Sequence, residues 1–165
     1  MSLELFEKIV RTAQNVGVPR VTEADAESAG VHPFDERNIH PAIVKVSLKL
    51  FDNGHYPQAT FEAFKYIDNQ VKKVSGIQET GYKLMMQAFD ENKPKIQLND
   101  MKSMSDRDEQ LGFRYIFAGS ASGIRNPRGH DNEDDRPDGI DLCLDHLSVA
   151  SVLLRTLDAR KLPKP

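Results

Sequence analysis

The sequence predicts an all-α protein, for three reasons. Hydrophobic side chains recur at helical spacing in several segments. Proline and glycine stand where those segments begin and end. No segment alternates apolar and polar residues over more than a few positions, as a half-buried strand would. With 39% hydrophobic and 28% charged residues among 165, the chain has the composition of a folded globular domain. We therefore expect an antiparallel helical bundle with an N-terminal helical arm.

The chain divides into an arm and a larger helical domain. Residues 2–16 carry apolar side chains on one helical face, and residues 18–38 hold proline, glycine and charges without clear periodicity. We interpret the second stretch as a linker with one turn at 23–29. The predicted domains are therefore residues 1–37, an N-terminal helix and linker, and residues 38–165, a helical domain.

Two long helices follow the linker. The first begins near Pro41 and ends at Asn53-Gly54, and the second has Pro57 near its start and Gly76 after its end. Because the connection between them is short, the two helices should pack as an antiparallel hairpin. The core stripe of the second helix is Phe64, Ile67, Val71 and Val74.

The second half of the domain should contain three more helices. "TGYKLMMQAF" is a short helix, and a polar stretch follows in which Ile96 and Leu98 can pack on the bundle. "FRYIFAGSASG" continues a long helix that we expect to be buried, with Tyr115 and Ala118 on one face. The last helix, "IDLCLDHLSVASVLLRTLDARK", has Leu147 on its core face and Asp138 as a candidate N-terminal cap.

Charge and composition exclude several classes of protein. The net charge of −3 argues against nonspecific nucleic-acid binding by the whole surface, although it allows a local basic cleft. The only cysteine, Cys143, is expected to be a buried, inert thiol, as in a reducing cytoplasm. The start "MSLELFEKIV" is acidic where a signal peptide would be basic. No apolar run approaches the roughly 20 residues of a membrane span, so we predict a cytoplasmic protein without membrane contact.

The segment "GIRNPRGHDN", residues 123–132, is the strongest candidate for chemistry. Pro127 should end the preceding helix directly after Arg125, and the break should turn Arg125 and His130 toward one point. Arginine binds phosphate through a planar fork of donors, and histidine transfers protons near neutral pH. The pair suits cleavage of a phosphodiester through the ribose 2′-hydroxyl.

No motif for metal or cofactor binding occurs, so we predict neither. The acidic run after the motif does not match a calcium-binding loop, because Arg136 stands where glycine is required. A second interpretation stays open at this point, because the bare Arg-x4-His spacing often arises by chance. Arg125 would then be a helix C-terminal charge and His130 a solvated loop residue.

"RNPRGH" resembles the R-x4–6-H motif of the HEPN superfamily (higher eukaryotes and prokaryotes nucleotide-binding). "NGHY…EAFK" and "QLGFRYIFAGSASGIRNPRGH" resemble its Ymh-type, abortive-infection-associated branch, and the resemblance covers roughly residues 38 to 160. It implies a helical bundle, metal-independent endoribonuclease activity in many members, and a homodimer whose two motifs face one cleft. It also implies a role in toxin–antitoxin or antiviral defence systems. Asn132 stands where one subgroup has a modifiable tyrosine, which puts that regulation in doubt.

The resemblance and the chemistry together assign the candidate roles. Arg125 would stabilise the scissile phosphate, His130 would transfer the proton, and Asn126 would fix the turn or hold the substrate. Three supporting residues have two open roles each. Arg128 would bind phosphate or face solvent, and Glu62 and Lys65 would orient the turn or form a surface ion pair.

The sequence thus predicts a metal-independent endoribonuclease that acts on RNA, forms a homodimer and has an antitoxin or defence-system partner. The first alternative is a noncatalytic HEPN module that binds RNA, a nucleotide or a protein. The second is a structural helical domain with a coincidental pair. The acidic residues at 131–138 would repel an RNA backbone unless their loop lies away from the cleft.

Overall fold

The computed structural model describes residues 30–130, apart from the side chain of His130, and residues 138–161. That part of the chain is helical and contains no strand, which confirms the all-α prediction. The α-helices are α1 (Pro33–Glu36), α2 (Pro41–Asp52), α3 (Tyr56–Ser75), α4 (Gly81–Ala88), α5 (Met104–Ser120), α6 (Asn126–His130) and α7 (Ile140–Asp158). A π turn (Ala121–Arg125) joins α5 to α6. The helix predicted at 2–16 and the turn predicted at 23–29 lie outside the described residues.

The ends of α2 and α3 lie where the sequence predicts them. Pro41 is in the first turn of α2, and the Nδ1 atom of His40 accepts a hydrogen bond of 3.1 Å from the backbone N–H of Ala42. Gly76 follows α3 in the left-handed conformation, with φ of 72°, and its N–H donates to the carbonyl of Lys72. A residue with a Cβ atom would be strained there, so glycine sets the end of α3.

Helix α3 is the centre of the bundle, since it packs against α2, α4, α6, α7 and the π turn. Phe64 on α3 and Leu147 on α7 are buried, as predicted. The Oγ atom of Ser47 on α2 donates a 2.8 Å hydrogen bond to the carbonyl of Ala59 on α3, which ties the two helices of the hairpin together. The central position of α3 means that a site built on its surface has a rigid support.

Residues 89–103, which we name the strap, cross the bundle between α4 and α5 without regular structure. Ile96 and Leu98 are buried, as predicted. Fully buried Gln110 fixes the strap: its Nε2 atom donates to the carbonyls of Phe89 (3.1 Å) and Ile96 (3.0 Å), and its Oε1 atom accepts from the N–H of Leu98 (3.0 Å). A buried amide with these bonds satisfied holds an irregular segment in one conformation.

Helix α5 departs from the prediction that it is buried. Phe117 and Ala118 are buried, but Tyr115 is 55% exposed and Ile116 is 49% exposed. These two side chains belong to an exposed stripe on α5 and the π turn that we name the small-residue stripe: Gly112, Tyr115, Ile116, Gly119, Ser122 and Gly123. Apart from the backbone of the same helix, no atom of the described residues comes within 4 Å of a Cβ built on its three glycines. The described residues therefore leave the stripe uncovered at these positions.

Two smaller expectations also differ from the structure. Residues 33–36, which we placed in the linker, form α1, and Phe34 packs in the core with its ring centroid 4.9 Å from that of Phe51. Asp138 does not cap α7, because Gly139 occupies the cap position. Of the described helices, none combines the length and the apolar character needed to cross a membrane.

Candidate functional site

The chain does not break at Pro127, contrary to the sequence prediction. Asn126 has α-helical angles, φ −61° and ψ −45°, and α6 continues through the proline. The physical reason is the π turn, in which the N–H of Asn126 donates to the carbonyl of Ala121, five residues back. This shift of register comes directly before the proline, which has no N–H to donate. Single π turns inside α-helices are common at functional sites.

Phe61 on α3 is the residue around which the candidate site is built. The guanidinium carbon of Arg125 lies 5.5 Å from the centre of the Phe61 ring, within the range of a cation–π interaction. The ring also lies against the backbone of Gly129, where an added Cβ would come 2.7 Å from Cε2 of Phe61. A side chain with a Cβ atom at position 129 would therefore force the ring or α6 to shift. The Phe61 ring thus contacts both Arg125, just before α6, and Gly129, near the end of α6.

The guanidinium of Arg125 has few partners. Its Nη1 atom donates a 3.1 Å hydrogen bond to Oδ1 of Asn126, and its Nε atom is buried without an acceptor among the described residues. No carboxylate among the described residues pairs with it. A buried donor without a partner costs roughly 1–3 kcal/mol. Guanidinium groups form charge-assisted, often two-pronged hydrogen bonds with carboxylate or phosphate.

Arg128 has a different environment from Arg125. Its side chain is 2% exposed and forms a two-pronged ion pair with Asp138, whose side chain is also 2% exposed. Its Nη2 atom donates to Oδ1 of Asp138 at 2.9 Å, its Nε atom donates to Oδ2, and its Nη1 atom donates to the carbonyl of Ile124 at 2.7 Å. Arg128 therefore neither faces solvent nor presents a free guanidinium. The charge of Asp138, the last residue of the acidic run at 131–138, is neutralised by Arg128 and is not available to repel RNA.

Glu62 and Lys65 form the surface ion pair that the sequence predicts as one of two alternatives. The Nζ atom of Lys65 donates a 2.8 Å hydrogen bond to Oε1 of Glu62. The same Nζ atom lies 5.6 Å from the centre of the Phe61 ring, which Arg125 also approaches. Both side chains are more than a third exposed, so the pair contributes little to stability. It does place a second cation beside Phe61.

His130 is the last residue of α6. The predicted role of its side chain, like that of the acidic residues at 131–137, lies outside what the structure describes. Within the described part, no group of three histidine, cysteine, aspartate or glutamate side chains could hold a metal ion. Cys143 is fully buried, as predicted, and burial raises the pKa of its thiol, which keeps it protonated and unreactive.

Sequence reasoning missed Phe61 and the Arg128–Asp138 pair. Phe61 precedes Glu62 and Phe64 on α3, but helical periodicity alone does not distinguish a ring in the core from one beneath an arginine. The pair joins residues ten positions apart across a segment that has no regular pattern. A signal did exist for Gly129, because a glycine inside a helix usually marks a close approach of another group.

Fold and site together define a class: a helical-bundle protein with an arginine held on an aromatic ring and paired with no carboxylate among the described residues. Residues 37–157 match the family model described as "Protein of unknown function (Hypoth_ymh)". The chain therefore belongs to the Hypoth_Ymh family, which agrees with the Ymh-type resemblance in the sequence. Comparisons with curated proteins and with solved structures gave no match.

Proposed function

We propose that this protein is a metal-independent endoribonuclease of the HEPN superfamily. The observation that supports it best is Arg125. Its guanidinium lies on the Phe61 ring, has no carboxylate partner in the described part of the chain, and keeps a buried Nε donor unused. The two non-bridging oxygens of an RNA phosphodiester are acceptors of the kind that a planar guanidinium binds in a bidentate manner.

The proposed reaction uses the substrate's own 2′-hydroxyl as the nucleophile. His130 accepts the proton of the 2′-hydroxyl, and the 2′-oxygen bonds to phosphorus. The bond from phosphorus to the 5′-oxygen breaks as that oxygen takes a proton from the imidazolium or from water. Arg125 stabilises the negative charge on the phosphate during this step. Asn126 acts as a positioning residue, since its Oδ1 atom holds Nη1 of Arg125. The products are a 2′,3′-cyclic phosphate and a 5′-hydroxyl.

A homodimer is part of the proposal. The small-residue stripe is exposed and extends onto the π turn that carries Arg125. Glycines permit close approach of a second helix, and Tyr115 and Ile116 supply apolar area to bury. Two copies joined along this stripe by a two-fold axis would bring two motifs toward one cleft. The HEPN resemblance supports a role in antiviral defence or in a toxin–antitoxin system, with an antitoxin or a defence-system protein as partner.

A noncatalytic HEPN module that binds RNA, a nucleotide or a protein is the second candidate. One observation favours it. The guanidinium of Arg125 interacts with the Phe61 ring and with the Asn126 amide, and neither of these groups transfers a proton. If His130 does not reach the bound phosphate, the site binds but does not cleave.

The two candidates separate in one assay. Wild-type protein is incubated with total RNA in EDTA, beside Arg125→Lys and the control Arg107→Lys, which changes an exposed arginine on α5 that has no ion pair in the described part. Lysine keeps the charge and loses the planar fork. We expect cleavage by wild type and by the control, and a loss of roughly 100-fold or more in Arg125→Lys. RNA that is bound and left intact by wild type would favour the noncatalytic module.

A further inference from the structure

A basic cleft of about 810 Å³ lies at the other end of α3 from Phe61. Its walls come from the C-terminal half of α3, the strap and the end of α7. Five of the eleven lining residues are cationic and one is acidic: Lys73, Lys95, Lys102, Arg160 and Lys161 against Asp100. Because the whole chain has a net charge of −3, this cleft is a local exception to the charge of the molecule.

Among the described residues, most of the cations in the cleft have no carboxylate of their own. Asp100 is shared by two lysines, with its oxygens 3.3 Å from Nζ of Lys161 and 3.7 Å from Nζ of Lys102. Lys73 and Lys95 pair with no carboxylate that the structure describes. Cations gathered in a concave site without counter-charges raise the local concentration of anions.

Two carboxylates of the strap are paired with Arg114 on α5, away from the lysines that line the cleft. These carboxylates are those of Asp90 and Glu91, with Oδ2 of Asp90 3.0 Å from Nη2 of the arginine. The backbone N–H of Lys93 donates to Asp90 and, together with Arg114, holds the pKa of that carboxyl below its usual value. The two strap lysines at the cleft, Lys95 and Lys102, therefore do not pair with Asp90 or Glu91. Buried Gln110 fixes the segment that presents them.

We propose that this cleft binds the phosphate backbone of single-stranded RNA. The identity of the ligand rests on the proposed function, because a nuclease must hold its substrate on both sides of the scissile phosphate. Lys73 and Phe61 are twelve residues apart on α3, on the order of 18 Å at the rise of an α-helix. That distance corresponds to about five nucleotides of a stacked strand. The amides of Gln70 and Gln97 also line the cleft and can bond to base edges.

The test measures binding of a 15-nucleotide single-stranded DNA by fluorescence anisotropy, with an RNA of the same sequence as a second probe. DNA has the phosphate backbone and lacks the 2′-hydroxyl, so binding is read without cleavage. Lys73→Glu/Lys95→Glu removes two cations of the cleft. Lys45→Glu/Lys49→Glu on α2 is the control, with the same change of charge on exposed lysines. Thermal melting by circular dichroism checks that all variants fold.

We expect the cleft variant to bind both probes at least tenfold more weakly and the control to change less than threefold. The slope of log affinity against log salt should fall by about 1.4, for two lost phosphate contacts to a single strand. Equal binding by the two variants overturns the cleft as the RNA site, whether or not wild type cleaves RNA. A selective loss of binding in a protein that never cleaves RNA supports the cleft and refutes the proposed nuclease.

Discussion

Substitutions of Arg125 and Arg128, which are three residues apart, should have opposite effects. Substitution of Arg128 should lower the stability of the fold, and substitution of Arg125 should abolish RNA cleavage. Arg128 and Asp138 form an ion pair in which both side chains are 2% exposed. Removing one partner of a buried pair leaves the other charge without compensation, which costs roughly 3–5 kcal/mol. For a chain of this size, that loss lowers the melting temperature by roughly 6–20 °C. Arg128→Met should therefore be strongly destabilised, as should Asp138→Leu.

Arg125→Ala should change the free energy of unfolding much less. It loses a cation–π contact with Phe61, worth roughly 0.5–2 kcal/mol, and it also removes a buried donor that has no acceptor. The two effects partly cancel. RNA cleavage should nevertheless disappear, while Arg128→Met should keep activity at temperatures where it remains folded.

Urea unfolding followed by circular dichroism measures these differences, and a double-mutant cycle isolates the pair. Arg128→Met/Asp138→Leu replaces both charges by apolar side chains and should recover most of the stability lost by either single variant. If Arg128→Met unfolds at the same urea concentration as wild type, the pair does not stabilise the bundle. If Arg128→Met is stable and inactive, Arg128 belongs to the substrate site instead.

Three further predictions concern the site, the dimer and the core. Gly129→Ala brings a Cβ to 2.7 Å from the Phe61 ring, so the ring must move by about 1 Å; a shift of that size at a site can cost about 100-fold in cleavage rate. Tyr115→Ser/Ile116→Ser should convert a dimer to a monomer in light scattering at micromolar concentration, and a monomeric wild type would contradict the proposed dimer. Leu147→Ala should lower the free energy of unfolding by roughly 2–5 kcal/mol in a urea titration, because Leu147 is fully buried. A loss below about 1 kcal/mol would contradict the packing of Leu147 in the core.

The sequence predicted the helical elements well because local signals set their ends. Pro41 and Gly76 act through backbone angles that depend on few neighbours, so α2 and α3 lie where the pattern places them. Ile96 and Leu98 were also predicted correctly, since two apolar residues in a polar stretch have a strong reason to be buried.

Features that depend on tertiary partners could not be predicted. The expected break at Pro127 is absent, because a π turn shifts the hydrogen-bond register before the proline. Tyr115 is exposed, since the order of helices around α3 leaves that side of α5 uncovered. Of the candidate site, the sequence identified Arg125 and Asn126, whose contact is local. The ring beneath Arg125 belongs to another helix and has no local signal.

The chemical identity of the RNA ends tests the proposed mechanism most directly. Wild-type protein is incubated with a defined RNA in EDTA, and the fragments are analysed by mass spectrometry. The proposed use of the 2′-hydroxyl predicts a 2′,3′-cyclic phosphate on one fragment and a 5′-hydroxyl on the other, with no cleavage where a single 2′-O-methyl group blocks the nucleophile. Fragments with a 5′-phosphate, or cleavage that proceeds past the 2′-O-methyl group, would contradict it.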